Sequence, residues 1–224
     1  MTTYDLIDIY QFDFVSSINK GDPKKYQTMV EEMNEIRDKY INGAAIDDVL
    51  RSCVCVRHGH QYCISDVSIL EARERLRKAS VKRKPFVKAN KLNEVFADFE
   101  ELYDFVNSVI GGVSGIGPLT VYDTAKRIGH LFEKPIYPKA YVYLSAGAEK
   151  GAKALLNRKS LSFREPTIVF EPFFGTLPSV FVEDILCIFK NQFLPLSIEI
   201  KGTNKTLITK GNCVYKNRKK EVVI

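Results

Sequence analysis

The sequence predicts a mainly α-helical protein with a small C-terminal antiparallel β-sheet, α+β overall, and three features carry that expectation. Apolar residues recur at three- and four-residue spacing through most of residues 22–193, the helical period. Glycine and proline stand where helices would start and stop. From Leu196 the apolar period changes from that of a helix to that of a strand. A chain of 224 residues suggests one large domain or two small ones, and 45% hydrophobic content with 11% aromatics supplies a buried core, which excludes disorder of the whole chain.

A first helix is expected over 22–42. Asp22 caps it, Pro23 occupies its first turn, and Tyr26, Met29, Val30, Met33, Ile36 and Tyr40 form one apolar stripe that Gly43 ends. Residues 45–56 continue as helix with Ile46, Val49, Leu50 and Cys53 inward, although Cys53-Val54-Cys55-Val56 alternates equally well as a short strand. Ser65 can cap a helix over 66–79 whose outer face carries Arg73, Arg75, Arg77 and Lys78, and Lys82-Arg83-Lys84-Pro85 breaks the pattern. From Lys91 to Ile110 helical spacing holds through Leu92, Val95, Phe96, Phe99, Leu102, Tyr103, Val106, Val109 and Ile110, until Gly111-Gly112 stops it. Pro118 opens the next helix, with Leu119, Tyr122, Ala125 and Ile128 on one face. Beyond a bend at Pro135 and Pro138, Tyr141–Leu156 reads as helical at least from Ala146; LSAGAEKGAKALL (144–156) faintly echoes a second hairpin, with Glu149 where a turn glycine belongs. Residues 163–177, with Pro166, Pro172 and Gly175 among aromatics, read as an ordered irregular connection, and Ser179–Phe193 as a helix buried on several faces. Segments 196–201, 206–210 and 213–216 alternate and are separated by Gly202 and Gly211 turns, the pattern of a small antiparallel sheet. The expected division is 1–84, an N-terminal helical region; 85–195, a helical core; and 196–224, a β extension.

The densest information lies between Glu101 and Phe132, where two apolar-periodic segments flank Gly115-Ile116-Gly117. Two glycines around one aliphatic residue let the backbone turn tightly, bury Ile116, and leave amide N–H groups unpaired at the start of the following helix. Such a turn can hold an anion. The arrangement resembles the helix-hairpin-helix family, over about 32 of 224 residues, and completes the fold expectation as a helical bundle containing that module. The resemblance implies sequence-nonspecific binding of a DNA or RNA backbone, with Gly115, Ile116 and Gly117 presenting amides, Thr120 adding a hydroxyl contact and Lys126 a longer-range attraction. It does not extend to the chemistry of the DNA glycosylases that share the module. Those with lyase activity carry a lysine just after the second hairpin glycine, where this chain has Leu119 and Thr120. Their aspartate after the second helix has no counterpart, since no Asp or Glu lies between Glu133 and Glu149, and their four-cysteine iron–sulfur loop is missing because only Cys187 and Cys213 follow residue 63.

Three further patterns bear on function. Cys53, Cys55, His58, His60 and Cys63 lie within eleven residues, a set of thiol and imidazole groups that suits zinc but matches no standard zinc spacing, so core-filling cysteines account for it as well. His130 stands at the end of the second hairpin helix, where a histidine suits a C-terminal cap. Glu199-Ile200-Lys201, with Asp184, is the residue set of a metal-dependent nuclease strand, although half-buried strand alternation explains it too. The functional expectation is therefore a non-catalytic nucleic-acid backbone binder without cofactor. A DNA-processing enzyme, glycosylase-like or nuclease, and a protein-interaction module are the rivals.

Charge distribution points the same way. The net charge is +6, yet residues 1–50 carry ten acids against five bases, whereas 71–90 and 126–159 each carry eight bases against two acids, so two basic blocks flank the hairpin. No window reaches the ~18 apolar residues of a membrane span, and the acidic start MTTYDLIDIYQFDF is unlike a secretory signal. With five cysteines in no regular disulfide spacing, the expected location is the cytoplasm and no membrane partner is implied.

Overall fold

In the computed structural model, which describes residues 29–54, 65–82, 95–132 and 134–193, most helix ends fall at residues whose chemistry marks them. The described residues belong to two units, one within 22–138 and the other within 139–224.

In the first unit, α1 (Met29–Ile41) buries Ile36 and gives way to Gly43, whose φ of +88° is open to glycine without strain. The expected start at Asp22 and Pro23 lies outside the described residues. Helix α2 (Ile46–Cys53) turns Val49, Leu50 and Cys53 inward, and Val54 is extended, so Cys53 closes a helix; Cys55 and Val56 lie outside the described residues. Helix α3 (Asp66–Lys82) begins as expected at Ser65, whose Oγ accepts the Ser68 N–H at 3.2 Å, and it buries Ala72 and Leu76.

Helices α4 (Phe99–Ile110) and α5 (Pro118–His130) form the central pair of this unit, and α1, α2 and α3 each pack on one or both of its members or on each other. The start of α4 corrects the expectation of a helix from Lys91. Asp98 accepts the Glu101 N–H at 2.8 Å, and the Glu101 carboxylate reaches back to the Ala97 N–H at 2.8 Å, so a D-x-x-E cap sets the boundary. Phe96 keeps the apolar rhythm going because it is buried beside Phe105 and Phe132, with ring centres 5.4 and 6.3 Å away, although its backbone is not helical. Periodicity reports burial, and here burial runs past the helix end. Phe99 meets Tyr122 edge-on at 5.9 Å across the α4–α5 pair, and the fully buried Leu102, Val106, Ile110, Ala125 and Ile128 fill it. Each of these leucine, valine and isoleucine side chains contributes roughly 1.5–3 kcal/mol by leaving water. Gly129 lets the following chain lie against α5: a Cβ there would collide with the Ile136 carbonyl, and the Ile136 N–H bonds Gly129 O at 3.1 Å.

In the second unit, β1 (Tyr141–Tyr143) pairs antiparallel with β2 (Arg164–Pro166), Val142 opposite Glu165. Between them runs α6 (Ala146–Leu156), ended by Asn157 in the left-handed region at φ 53°. After β2 come a 3₁₀ turn (Thr167–Val169), the single turn α7 (Glu171–Phe174) and α8 (Ser179–Ile188). Val142, Leu144, Ala148, Ala152, Leu155, Val182, Ile185, Leu186 and four phenylalanines make the core. Gly151 allows α6 and α8 to touch, since a Cβ there would collide with the backbone oxygen of Leu186. Two expectations are corrected. Tyr141–Tyr143 is strand, not helix, and 164–166 is a paired strand within what reads as an irregular connection; three residues are too few for either period to declare itself. The echo of a second hairpin over 144–156 is a single uninterrupted helix from Ala146, with no turn at Glu149. The protein is mainly helical with a small two-stranded antiparallel sheet, and the sheet expected over 196–224 lies outside the described residues.

Candidate nucleic-acid interface

The connection between α4 and α5 is built from three short backbone bonds in succession. The Gly111 N–H bonds Asn107 O at 2.9 Å, the Val113 N–H bonds Ile110 O at 3.0 Å, and the Ile116 N–H bonds Val113 O at 3.0 Å. Gly115 turns the chain with φ +81°, a region that a side chain resists. Ile116, 7% exposed, points inward while Ser114, Gly115 and Pro118 face solvent. Gly117 is extended (φ −92°, ψ 173°) and supplies no side-chain cap; the first backbone bond that closes onto it comes from the Val121 N–H at 3.2 Å. Pro118 has no N–H to leave over, so the amides of Leu119 and Thr120 are the ones at the positive end of the helix dipole.

Two of the expected contact residues sit elsewhere than expected. Helix α5 is buried along its whole length from Thr120 to His130. Thr120 is 3% exposed and its carbonyl accepts the Thr124 hydroxyl at 2.7 Å, so its side chain faces the interior. Lys126 is 2% exposed, and its ammonium lies 4.9 Å from the centre of the Tyr122 ring one turn earlier. A helix entered at residue 118 with an apolar face at 119, 122, 125 and 128 also carries its polar face into contact here, which spacing alone does not disclose.

The cation that stands by the turn is Arg75, whose Nη1 would lie 4.0 Å from a Cβ on Gly112. It is exposed and bonded to Glu71 at 2.6 Å. The sequence offers Arg73, Arg75, Arg77 and Lys78 on α3 alike, and the packing of α3 on α4 brings Arg75 to the hairpin. The others have local work. Arg73 donates from Nε and Nη2 to Val54 O, both at 3.2 Å, and the fully buried Arg127 donates to Cys53 O at 3.3 Å, so two guanidinium groups hold the carbonyl end of α2, where the dipole is negative. Arg77 and Lys78 share Glu74, and the Arg77 hydrogen bonds hold that exposed carboxyl down to about 2. In the second unit Lys153 pairs with Glu149 at 2.6 Å and Lys150 bonds Asn191 at 3.0 Å.

His130 does not cap α5 with its ring. Nε2 bonds Asn34 Oδ1 on α1 at 2.8 Å, and Nδ1 bonds the Tyr137 hydroxyl. Burial, reinforced by the Arg37 charge, pushes the imidazole below its ordinary value; burial raises the Tyr137 phenol, against the pull of Lys126 and Arg37. Of the Cys/His set, Cys53 is a buried core residue closing α2, and Cys55, His58, His60 and Cys63 lie outside the described residues. Asp184 is half-buried on α8, and Glu199 and Lys201 also lie outside them.

Comparison with protein-family models, curated proteins and solved structures returns no match for this chain. Among the described residues no helix is long and apolar enough to cross a membrane.

Proposed function

We propose that the α4–α5 hairpin is a sequence-nonspecific, non-catalytic contact for a nucleic-acid phosphate backbone, DNA in the first instance, in a cytoplasmic protein. One observation carries the proposal: a helix start with no side-chain cap follows a turn whose Ser114, Gly115 and Pro118 are exposed, and Arg75 stands by Gly112 where that turn begins. Backbone N–H groups at a helix start and a guanidinium are donors that match phosphate oxygens and ignore base identity. With Thr120 and Lys126 turned inside, the reading narrows to the backbone of Gly115–Leu119 and the Arg75 side chain as the contact.

Fluorescence anisotropy with labelled duplex and single strand, at about 50 and 200 mM salt, tests this. The expected result is binding at low salt that weakens steeply with added salt, is indifferent to sequence, and drops roughly tenfold in Arg75→Glu with unchanged circular dichroism. Absence of binding to either probe at the lower salt overturns the proposal.

A further inference from the structure

Arg75 shows two sides of one guanidinium to two neighbours. Its Nη2 donates to Glu71 Oε1 at 2.6 Å, one turn earlier on α3, and its Nη1 is the described atom that a Cβ on Gly112 would approach, at 4.0 Å. Both side chains of the pair are 46% exposed, so water and solutes reach them. At the other end of the turn a Cβ on Gly117 would meet no described atom within 4 Å, which leaves space where α5 begins. A phosphate drawn to the turn finds room there, yet the cation beside Gly112 is already offset by a carboxylate. Given the hairpin as a phosphate contact, on which this rests, we infer that Glu71 competes with phosphate for Arg75, lowering the grip on any single anion so that the partner retained is a strand offering several phosphates at once.

A guanidinium and a carboxylate in contact nearly cancel when felt from several ångströms away, so the pair attracts a phosphate far less than a bare arginine would. The incoming anion has two routes. It shares the guanidinium, which brings two anions onto one cation, or it displaces Glu71, which gives up a short charge-assisted hydrogen bond. Either route costs affinity. Because Glu71 takes one of the five N–H donors of Arg75, the site is weakened rather than closed. The neighbouring bases are occupied in the same manner. Glu74 holds Arg77 at 2.7 Å and Lys78 at 3.7 Å, and Arg73 is turned to Val54 O, so α3 presents ion pairs where its sequence suggests open positive charge. A repulsive element selects among partners by what it penalises. A strand held at several phosphates at once tolerates a penalty at one of them, whereas an anion with a single contact does not.

Anisotropy titrations of a labelled DNA duplex with the full chain test this in the wild type, Glu71→Gln, Arg75→Gln and the double variant, each checked for unchanged circular dichroism. Glu71→Gln is expected to tighten binding about threefold or more at about 50 mM salt, with a smaller gain at about 200 mM. The slope of log affinity against log salt should steepen by roughly 0.9, because Arg75 then acts as a full charge. In a chain that already carries Arg75→Gln, most of that gain should vanish. Inorganic phosphate, followed by the amide shifts of Gly112 and Gly115, should bind Glu71→Gln at a lower concentration than the wild type. Glu71→Gln that binds duplex or phosphate no tighter than the wild type overturns the inference, as does an equal gain with and without Arg75; the hairpin contact then still stands if Arg75→Glu weakens binding. Absence of binding by both the wild type and Glu71→Gln overturns the hairpin contact and the competitor together.

Discussion

At the scale of single residues, the burial of Arg127 shows how a basic residue in the sequence becomes a structural one. It is 1% exposed and donates to the last carbonyl of α2, from a position that in the sequence counts only as one more positive charge near the hairpin. Its planar, always-charged fork is suited to carbonyl oxygens in the interior, and its stem packs as an apolar side chain would. Arg127→Met should keep the packing and lose the bond, leaving a buried carbonyl end without its donor; chemical denaturation should show a loss of about 1–3 kcal/mol. Gly115 is the opposite case, legible from the start: two glycines around an aliphatic residue announce a turn that buries the residue between them, and Ile116 is buried. Thr120 and Lys126 were not legible in this way. Their exposure depends on which face of α5 meets its neighbours, and α5 meets them on all faces.

At the scale of elements, helix existence is written in the local sequence and helix limits are written in caps. Ser65 and Gly43 mark their helices plainly, whereas the start of α4 is set by Asp98 and Glu101 against an apolar rhythm that runs on to Phe96. Asp98→Ala removes the acceptor for the Glu101 N–H and should cost about 1 kcal/mol in thermal or denaturant unfolding. The close crossing of α6 and α8 gives a sharper test. A methyl group on Gly151 meets the Leu186 carbonyl, backbone that cannot rotate aside, so Gly151→Ala should destabilise by about 2 kcal/mol or more. Gly147→Ala meets the Cys187 sulfur, the movable end of a side chain, and should cost less in the same unfolding measurement.

At the scale of the whole molecule, charge and protonation set the conditions of use. Ion pairs at the surface, such as the exposed Glu71–Arg75, are screened and add little to stability, so raising salt from about 50 to 500 mM should move the melting temperature little. The same change should sharply weaken binding to nucleic acid if phosphate contacts hold the complex. Acid acts differently. His130 has a folded-state pKa below its ordinary 6.5, so the unfolded chain takes up the proton first as pH falls. Its contribution to stability is complete above 6.5 and is lost progressively as pH drops through the folded value. Melting temperature followed from pH 7.5 to pH 5 should therefore fall on the acid side, and His130→Gln should flatten that part of the curve.

The sequence by itself determined that the chain is mainly helical, where most of its described helices lie and that a tight glycine turn separates two of them, because periodicity, capping and the conformational freedom of glycine act over a few neighbouring residues. Only the tertiary structure decided which charges face water. It withdrew Lys126 and Arg127 into the interior, set Arg75 beside the turn, joined His130 to Asn34 and paired two three-residue strands, since each of these outcomes depends on which faces meet across long stretches of chain.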